Sequence, residues 1–123
     1  MVFASITRND RTVYSDILIR QGTTYSATIT LKDDAGNAFN LTGFTVRGQL
    51  RLSIASTTNV AFVGVVTDAT GGIITISLDS VVTAALDAPS KYFYDVEIFD
   101  AANPPIVHRV LEGRAEISPE ITR

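Results

Sequence analysis

An antiparallel β-sandwich is the fold this sequence predicts, and three observations predict it. Apolar and polar residues alternate with a period of two along most of the chain. Turn-forming residues recur about every eight to twelve positions. No stretch of helical period is long enough to supply the crossovers of a parallel sheet. The 123 residues make a single domain of ordinary size, 46% hydrophobic and 19% charged, a composition that opposes disorder.

The elements follow in order. Residues 1–20 are expected to form an N-terminal arm that reaches outward, and residues 21–123 the sandwich domain. From Tyr25, an apolar set (Tyr25, Ala27, Ile29, Leu31) alternates with Ser26, Thr28, Thr30 and Lys32, which reads as a half-buried strand. Asp33-Asp34-Ala35-Gly36-Asn37 supplies a turn. The next strand places Phe44, Val46, Gly48, Leu50 and Leu52 on one face and Thr45, Arg47, Gln49 and Arg51 on the other. After a polar loop at 56–59 comes a strand over 60–66. Asp68-Ala69-Thr70-Gly71-Gly72 then signals a hairpin, and Ile74, Ile76 and Leu78 continue inward. The pattern breaks between Ser80 and Leu86, where one short helical segment is expected, with Asp79 or Ser80 as its N-cap and Pro89 beyond its end. The last third reads as three strands: Tyr92 to Phe99, Ile106 to Leu111, and Arg114 to Ile117. The sheet is expected to end at Pro119, which has no N–H to donate. About seven short strands in this arrangement predict an all-β, immunoglobulin-like antiparallel sandwich with at most one short helical turn near 80–86. A partly closed barrel is the alternative.

Charge and composition exclude several classes of function. The net charge is -3, and no clustered basic face of the kind that binds nucleic acid stands out. The first 22 residues lean only slightly basic, with Arg8, Arg11 and Arg20 against Asp10 and Asp16. There are no cysteines, so thiol chemistry and sulfur metal sites are absent. The first ten residues lack a basic stretch followed by a long apolar run, so no secretory leader is expected. No apolar run has the length that crosses a bilayer.

Each candidate for chemistry has a simpler structural account. His108 is the one histidine, and no Gly-x-Ser-x-Gly elbow accompanies it; a sheet-face histidine paired with a neighbour is expected. Asp95 and Glu97 share a strand face, the spacing of paired catalytic carboxylates but also of any polar face, and cross-strand pairing with Arg109 or Arg114 is expected. Asp33, Asp34 and Asn37 offer oxygen ligands for calcium without the rest of an EF-hand loop, and read as a turn. Gly71-Gly72 has no following lysine or helix to make a phosphate cradle. Tyr92, Phe93 and Tyr94 are expected to fill the core from both sheet faces, with a protein interface open for one of them.

Several segments together carry a resemblance: Gln21-Gly22-Thr23-Thr24-Tyr25, the run from Asp34 through Asn40-Leu41-Thr42-Gly43 to Phe44, Gln49-Leu50-Arg51, Gly72 through Leu78, Tyr94 through Ile98, Arg109 through Gly113, and the ending Ser118-Pro119-Glu120-Ile121-Thr122-Arg123. Their order, over about residues 20–123, resembles small tailed-bacteriophage virion proteins with an immunoglobulin-like sandwich. It is similar to the Ig-like N-terminal module of phage baseplate upper proteins, and to short stand-alone phage structural proteins, including those of phages of cyanobacteria. The resemblance implies a non-enzymatic structural protein, made in the host cytoplasm and incorporated in the virion in many copies. Its partners would be capsid or tail subunits, with no cofactor, metal, nucleic acid, membrane or small-molecule substrate. No fibre region follows Arg123, so docking or decoration is expected rather than receptor linkage: a tail or baseplate adaptor, or a capsid decoration or cement subunit. The candidate interface comprises Arg8, Arg11, Tyr14, Phe39, Pro119, Glu120 and Arg123. A carbohydrate- or receptor-binding sandwich, using Tyr14 and Phe39, is the alternative.

Overall fold

The structure is a computed structural model that describes residues 2–5, 13–33, 35–57 and 59–122, the first four through their backbone alone. Ten strand segments and one short helix run in the order β1 (Val2–Ser5), β2 (Val13–Tyr14), β3 (Ile17–Arg20), β4 (Tyr25–Lys32), β5 (Thr45–Arg51), β6 (Val60–Ala61), β7 (Val63–Asp68), β8 (Ile73–Leu78), α1 (Ser80–Ala84), β9 (Ser90–Phe99) and β10 (Val107–Ser118). They form two sheets. One has the order β1-β4-β8-β7; the other has β2-β10-β9-β5-β6, with β3 also on β10. The fold is an all-β sandwich.

Alternation decides what lies between the sheets. Ile29 and Leu31 of β4, and Ile74, Ile76 and Leu78 of β8, meet Leu50, Tyr94, Val96 and Ile98 of the other sheet, and none of these is more than 4% exposed. Leu52 departs from the expected inward set: it lies one residue beyond the end of β5 and is 45% exposed, because alternation orients a side chain only while the strand lasts.

Two expectations change at the ends of the chain. Residues 1–20, expected as an outward arm, contribute strands. Val2–Ser5 pair in parallel with Ile29–Lys32. Ile17–Arg20 pair in parallel with Ala115–Ser118, and Ile19 has no exposed surface. An apolar side chain at the sheet's edge is held by burial and by ladder bonds that a local pattern does not reveal. The C-terminal strands expected over 106–111 and 114–117 are one strand, β10. Its register against β9 shifts between Arg109 and Leu111, leaving both Val110 and Leu111 buried. This bulge breaks the period of two and gives the sequence the look of two strands. The sheet does stop at Ser118, one residue before Pro119.

Local chemistry fixes the connections. In the β7–β8 hairpin, Asp68 Oδ1 accepts from the Gly71 amide at 3.0 Å. Gly72 has φ +70, and a Cβ there would lie 2.5 Å from the Leu31 carbonyl oxygen, so both the conformation and the close approach require glycine. α1 begins with Asp79 Oδ1 accepting from the Val82 amide at 2.9 Å, an N-cap at the expected residue. Thr83, fully buried, donates through Oγ1 to the Thr23 carbonyl at 2.7 Å and accepts from the Gly22 amide at 3.1 Å. After the helix, the Tyr92 hydroxyl accepts from the Asp87 amide at 2.9 Å and pins the start of β9.

Candidate functional site

The two outer faces of the sandwich are the surfaces available to a partner, and they differ in chemistry. On the six-stranded sheet, register brings oppositely charged residues opposite each other. Arg47 of β5 is paired with Glu97 of β9, and their side chains meet at 2.8 Å. Arg109 of β10 reaches Asp95 at 3.4 Å and Glu112 at 3.2 Å. Two arginines also cover rings: Arg47 lies 4.4 Å from the centroid of Phe99, and Arg114 lies 4.2 Å from that of Phe93. The guanidinium there is held by the negative face of the ring. Arg51 donates to Gln49 Oε1 at 3.0 Å and to the Ser56 carbonyl. These side chains floor an open groove of about 760 Å³, with Tyr14 and Ile54 among the residues that line it.

Electrostatics in the groove follow from this crowding. Burial raises Asp95 above the usual aspartate value, Glu97 adds to the rise, and Arg109 opposes it. A hydrogen bond to Glu112 raises the Tyr14 phenol. Burial is also the main cause that raises Tyr94, whose hydroxyl donates inside the sandwich to the Ser15 carbonyl.

The outer face of the four-stranded sheet has the opposite character. Its described side chains belong to three strands, with β8 between β4 and β7, and β1 lies beyond β4. Register arranges their outward residues in rows: Val63, Ser77 and Ser26; Val65, Thr75 and Thr28; then Ile73 and Thr30. None of these side chains is charged. Val63 is 61% exposed and Val65 52%. Thr67 and Thr75 share a hydrogen bond of 2.6 Å between their hydroxyls. Among the described side chains, charges appear on this face only at one end, at Lys32 on β4 and Asp68 on β7, both exposed.

The residues singled out from the sequence fall in several places. Tyr14 is 77% exposed and pairs in register with Glu112 on the charged side. Phe39 is half-buried in an aromatic cluster, 5.7 Å from Phe44 and 6.1 Å from His108 between ring centroids. Pro119 is exposed, whereas Glu120 is tied to its own domain through its amide, which donates to Gln21 Oε1 at 3.0 Å. Gln21 in turn donates to the Leu86 carbonyl at 3.0 Å. Arg8, Arg11 and Arg123 lie outside the described residues. Tyr14, Phe39, Pro119 and Glu120 thus do not form one surface.

The candidates for chemistry are also separated. His108 pairs with Ile98, which points inward, while Asp95 and Glu97 point outward, so the histidine and the carboxylates occupy opposite sides of one sheet. Asp33 Oδ1 accepts from the amides of Ala35 and Asn37, each at 3.0 Å, which is the turn its sequence predicts; Asp34 lies outside the described residues. Among the described residues no group of three or more His, Asp or Glu could hold a metal ion. No helix among them is long and apolar enough to cross a membrane. The uncharged face was missed from sequence, although its signal is there. The outward positions of β4 and β8 are Ser, Thr and Ile73 up to Lys32, and β7 has no charge before Asp68.

No protein-family model matches the chain, and no curated protein matches it.

Proposed function

We propose that the chain is a non-enzymatic structural protein of a tailed-phage virion that docks on the particle through protein–protein contacts, as a tail or baseplate adaptor or as a capsid decoration or cement subunit. The observation that carries the docking reading is the exposed, uncharged face of β4, β8 and β7, with Val63 and Val65 standing out from it. Interfaces are depleted of charge at their centre, and this is the one described face with an uncharged centre. The immunoglobulin-like part of the reading is supported by the strand orders and by the Tyr92 hydroxyl tied to the Asp87 backbone at the turn before β9, as at a tyrosine corner. The virion part rests on the sequence resemblance.

The test is to apply gold-labelled antibody to purified particles of the phage that encodes the chain. Even label over the head identifies a decoration or cement subunit. Label confined to the neck, tail or tail tip identifies an adaptor. Particles that carry no label overturn the proposal.

A carbohydrate-binding role has the groove in its favour, since polar groups and Tyr14 line it. Sugars stack on bare aromatic faces, however, and Phe93 and Phe99 each lie against an arginine. A glycan array is expected to show no hits. A reproducible hit lost in Tyr14→Ala would favour the carbohydrate reading instead.

A further inference from the structure

The uncharged face has a symmetry of its own. Lys32 and Asp68 sit on the strands either side of β8, β4 and β7. They mark the same end of the face, because Thr30 and Asp68 are both register partners of Ile73. β4 carries a positive charge and β7 a negative one, with no charge among the described side chains between them, and β1 lies beyond β4.

We infer that this face packs against the same face of a second copy of the chain, about a twofold axis that runs along β8. Such an axis lays β4 of one copy over β7 of the other. Asp68 then falls over Thr30 of the second copy, one row short of Lys32, whose long side chain can span that step, and the exchange occurs twice, as an isologous contact requires. Thr75 lies on the axis and meets itself. Val65 meets Thr28, since both are in register with Thr75. An axis across the strands would instead set the Lys32 and Asp68 end over the uncharged end carrying Ser77, and neither charge would find its opposite. The chain's net charge of -3 makes two copies repel in general, so an uncharged centre with exchanging margins is the region where a like-charged molecule approaches without burying a charge.

Three strands about 4.8 Å apart and about six residues long at roughly 3.3 Å each present a patch of roughly 10–15 by 20 Å. At about 200–300 Å² per copy that is well below the size of a standard specific contact, so a single pair is weak in dilute solution. Display in many copies on one particle would raise its effective strength. The inference deepens the docking reading by naming the partner of that face, and rests on it to that extent.

Sedimentation equilibrium of the whole chain, from about 10 µM to about 1 mM, covers the range expected for such a contact. The expected result is a monomer–dimer equilibrium. Thr75→Arg, which places two cations on the axis, should abolish it, and Val65→Lys, at a more exposed position, should weaken it at least about tenfold. Lys32→Asp should weaken it by setting two carboxylates together, while Gln49→Arg on the other sheet should leave it unchanged. Circular dichroism confirms that each variant is folded. The chain has no cysteine, so introduced thiols report geometry without background. On oxidation Thr75→Cys should form a disulfide dimer. Val65→Cys should form little alone and much more when mixed with Thr28→Cys.

A monomer throughout the concentration range overturns the inference, as does a dimer that persists in both Thr75→Arg and Val65→Lys, or Val65→Cys linking to itself as readily as Thr75→Cys. The two proposals fail separately. A chain found on particles yet monomeric in solution removes only the self-pairing and gives the face to another virion protein. A dimer absent from particles removes only the virion assignment.

Discussion

The sandwich treats its two outer surfaces differently. On the six-stranded sheet, arginines and carboxylates of adjacent strands are set opposite one another, and the rings between them are covered by guanidinium groups. On the four-stranded sheet the outward positions are serine, threonine, valine and isoleucine, with hydroxyls bonded to each other and valines facing solvent. Both sheets bury the same kind of aliphatic inner face, so folding alone does not account for the contrast. A charged surface whose charges are already paired offers an incoming molecule little net gain, because the existing pairs must be broken or desolvated. A surface of β-branched residues without charge carries no such cost. The sheet with fewer ionic features is thus the one that would lose least on being covered.

The largest effect distinguishes the two sides of β4. Ile29 is fully buried and Thr28 points outward beside it. Ile29→Asp should lower stability by about 3 kcal/mol or more through an unpaired buried charge, whereas Thr28→Asp should cost about 1 kcal/mol or less. Urea unfolding of both variants measures the difference, and similar losses would mean that the outer face is not a free surface. Next comes the hairpin that carries this face. Gly72→Ala forces a side chain into a positive-φ position and against the Leu31 carbonyl, and should cost about 1–3 kcal/mol by the same assay. A smaller effect probes the charged side. Arg109→Ala should lower stability by about 1 kcal/mol or less, since its ion pairs are largely exposed, and the loss should shrink in high salt. Thr75→Val on the uncharged side should show no salt dependence.

The smallest effect is one of pH. Because burial raises Asp95, the folded chain holds that proton more tightly than the unfolded chain does. The contribution of Asp95 to stability therefore declines as pH rises from the ordinary aspartate range through the raised value. Asp95→Asn should lack that decline, so as pH rises from the ordinary aspartate range its stability should improve relative to wild type. Thermal unfolding across this range measures the trend, and a relative change in the opposite direction would show that Arg109 outweighs burial.

Much of this architecture was legible in the residues. Alternation from Tyr25 to Lys32 gave both the strand and its buried side, and the helix start fell on Asp79, one of the two residues expected. Tyr92 to Phe99 read as a strand, but Phe93, expected in the core, lies on the outer face under Arg114. What escaped depends on distant pairing. The bulge at Val110 puts two apolar residues in succession, which reads as a strand break. The segment from Val13 to Arg20 has too little local pattern to show that β10 will receive it. Asp95 and Glu97 were expected to pair with Arg109 or Arg114; Asp95 meets Arg109, but Glu97 meets Arg47, a choice made by the register of β5 against β9. The uncharged face needed only a count of charges on each side of β4, β8 and β7, but which strands lie beside each other must be known before that count means anything.

The pairing of β3 with β10 also sets an order of events for the growing chain. Asp16 bonds the Arg114 amide across a separation of 98 residues, and closing so long a loop early is entropically unfavourable. The centre of the six-stranded sheet, β9 and β10, is also synthesised after every other strand of the sandwich. During translation, β3 must therefore wait without its partner, and the core cannot close until Ser118 has left the ribosome. Folding dominated by such remote pairings belongs to the slow range, milliseconds to seconds. Until β10 emerges, each growing chain therefore carries an Ile19 that has nowhere yet to go.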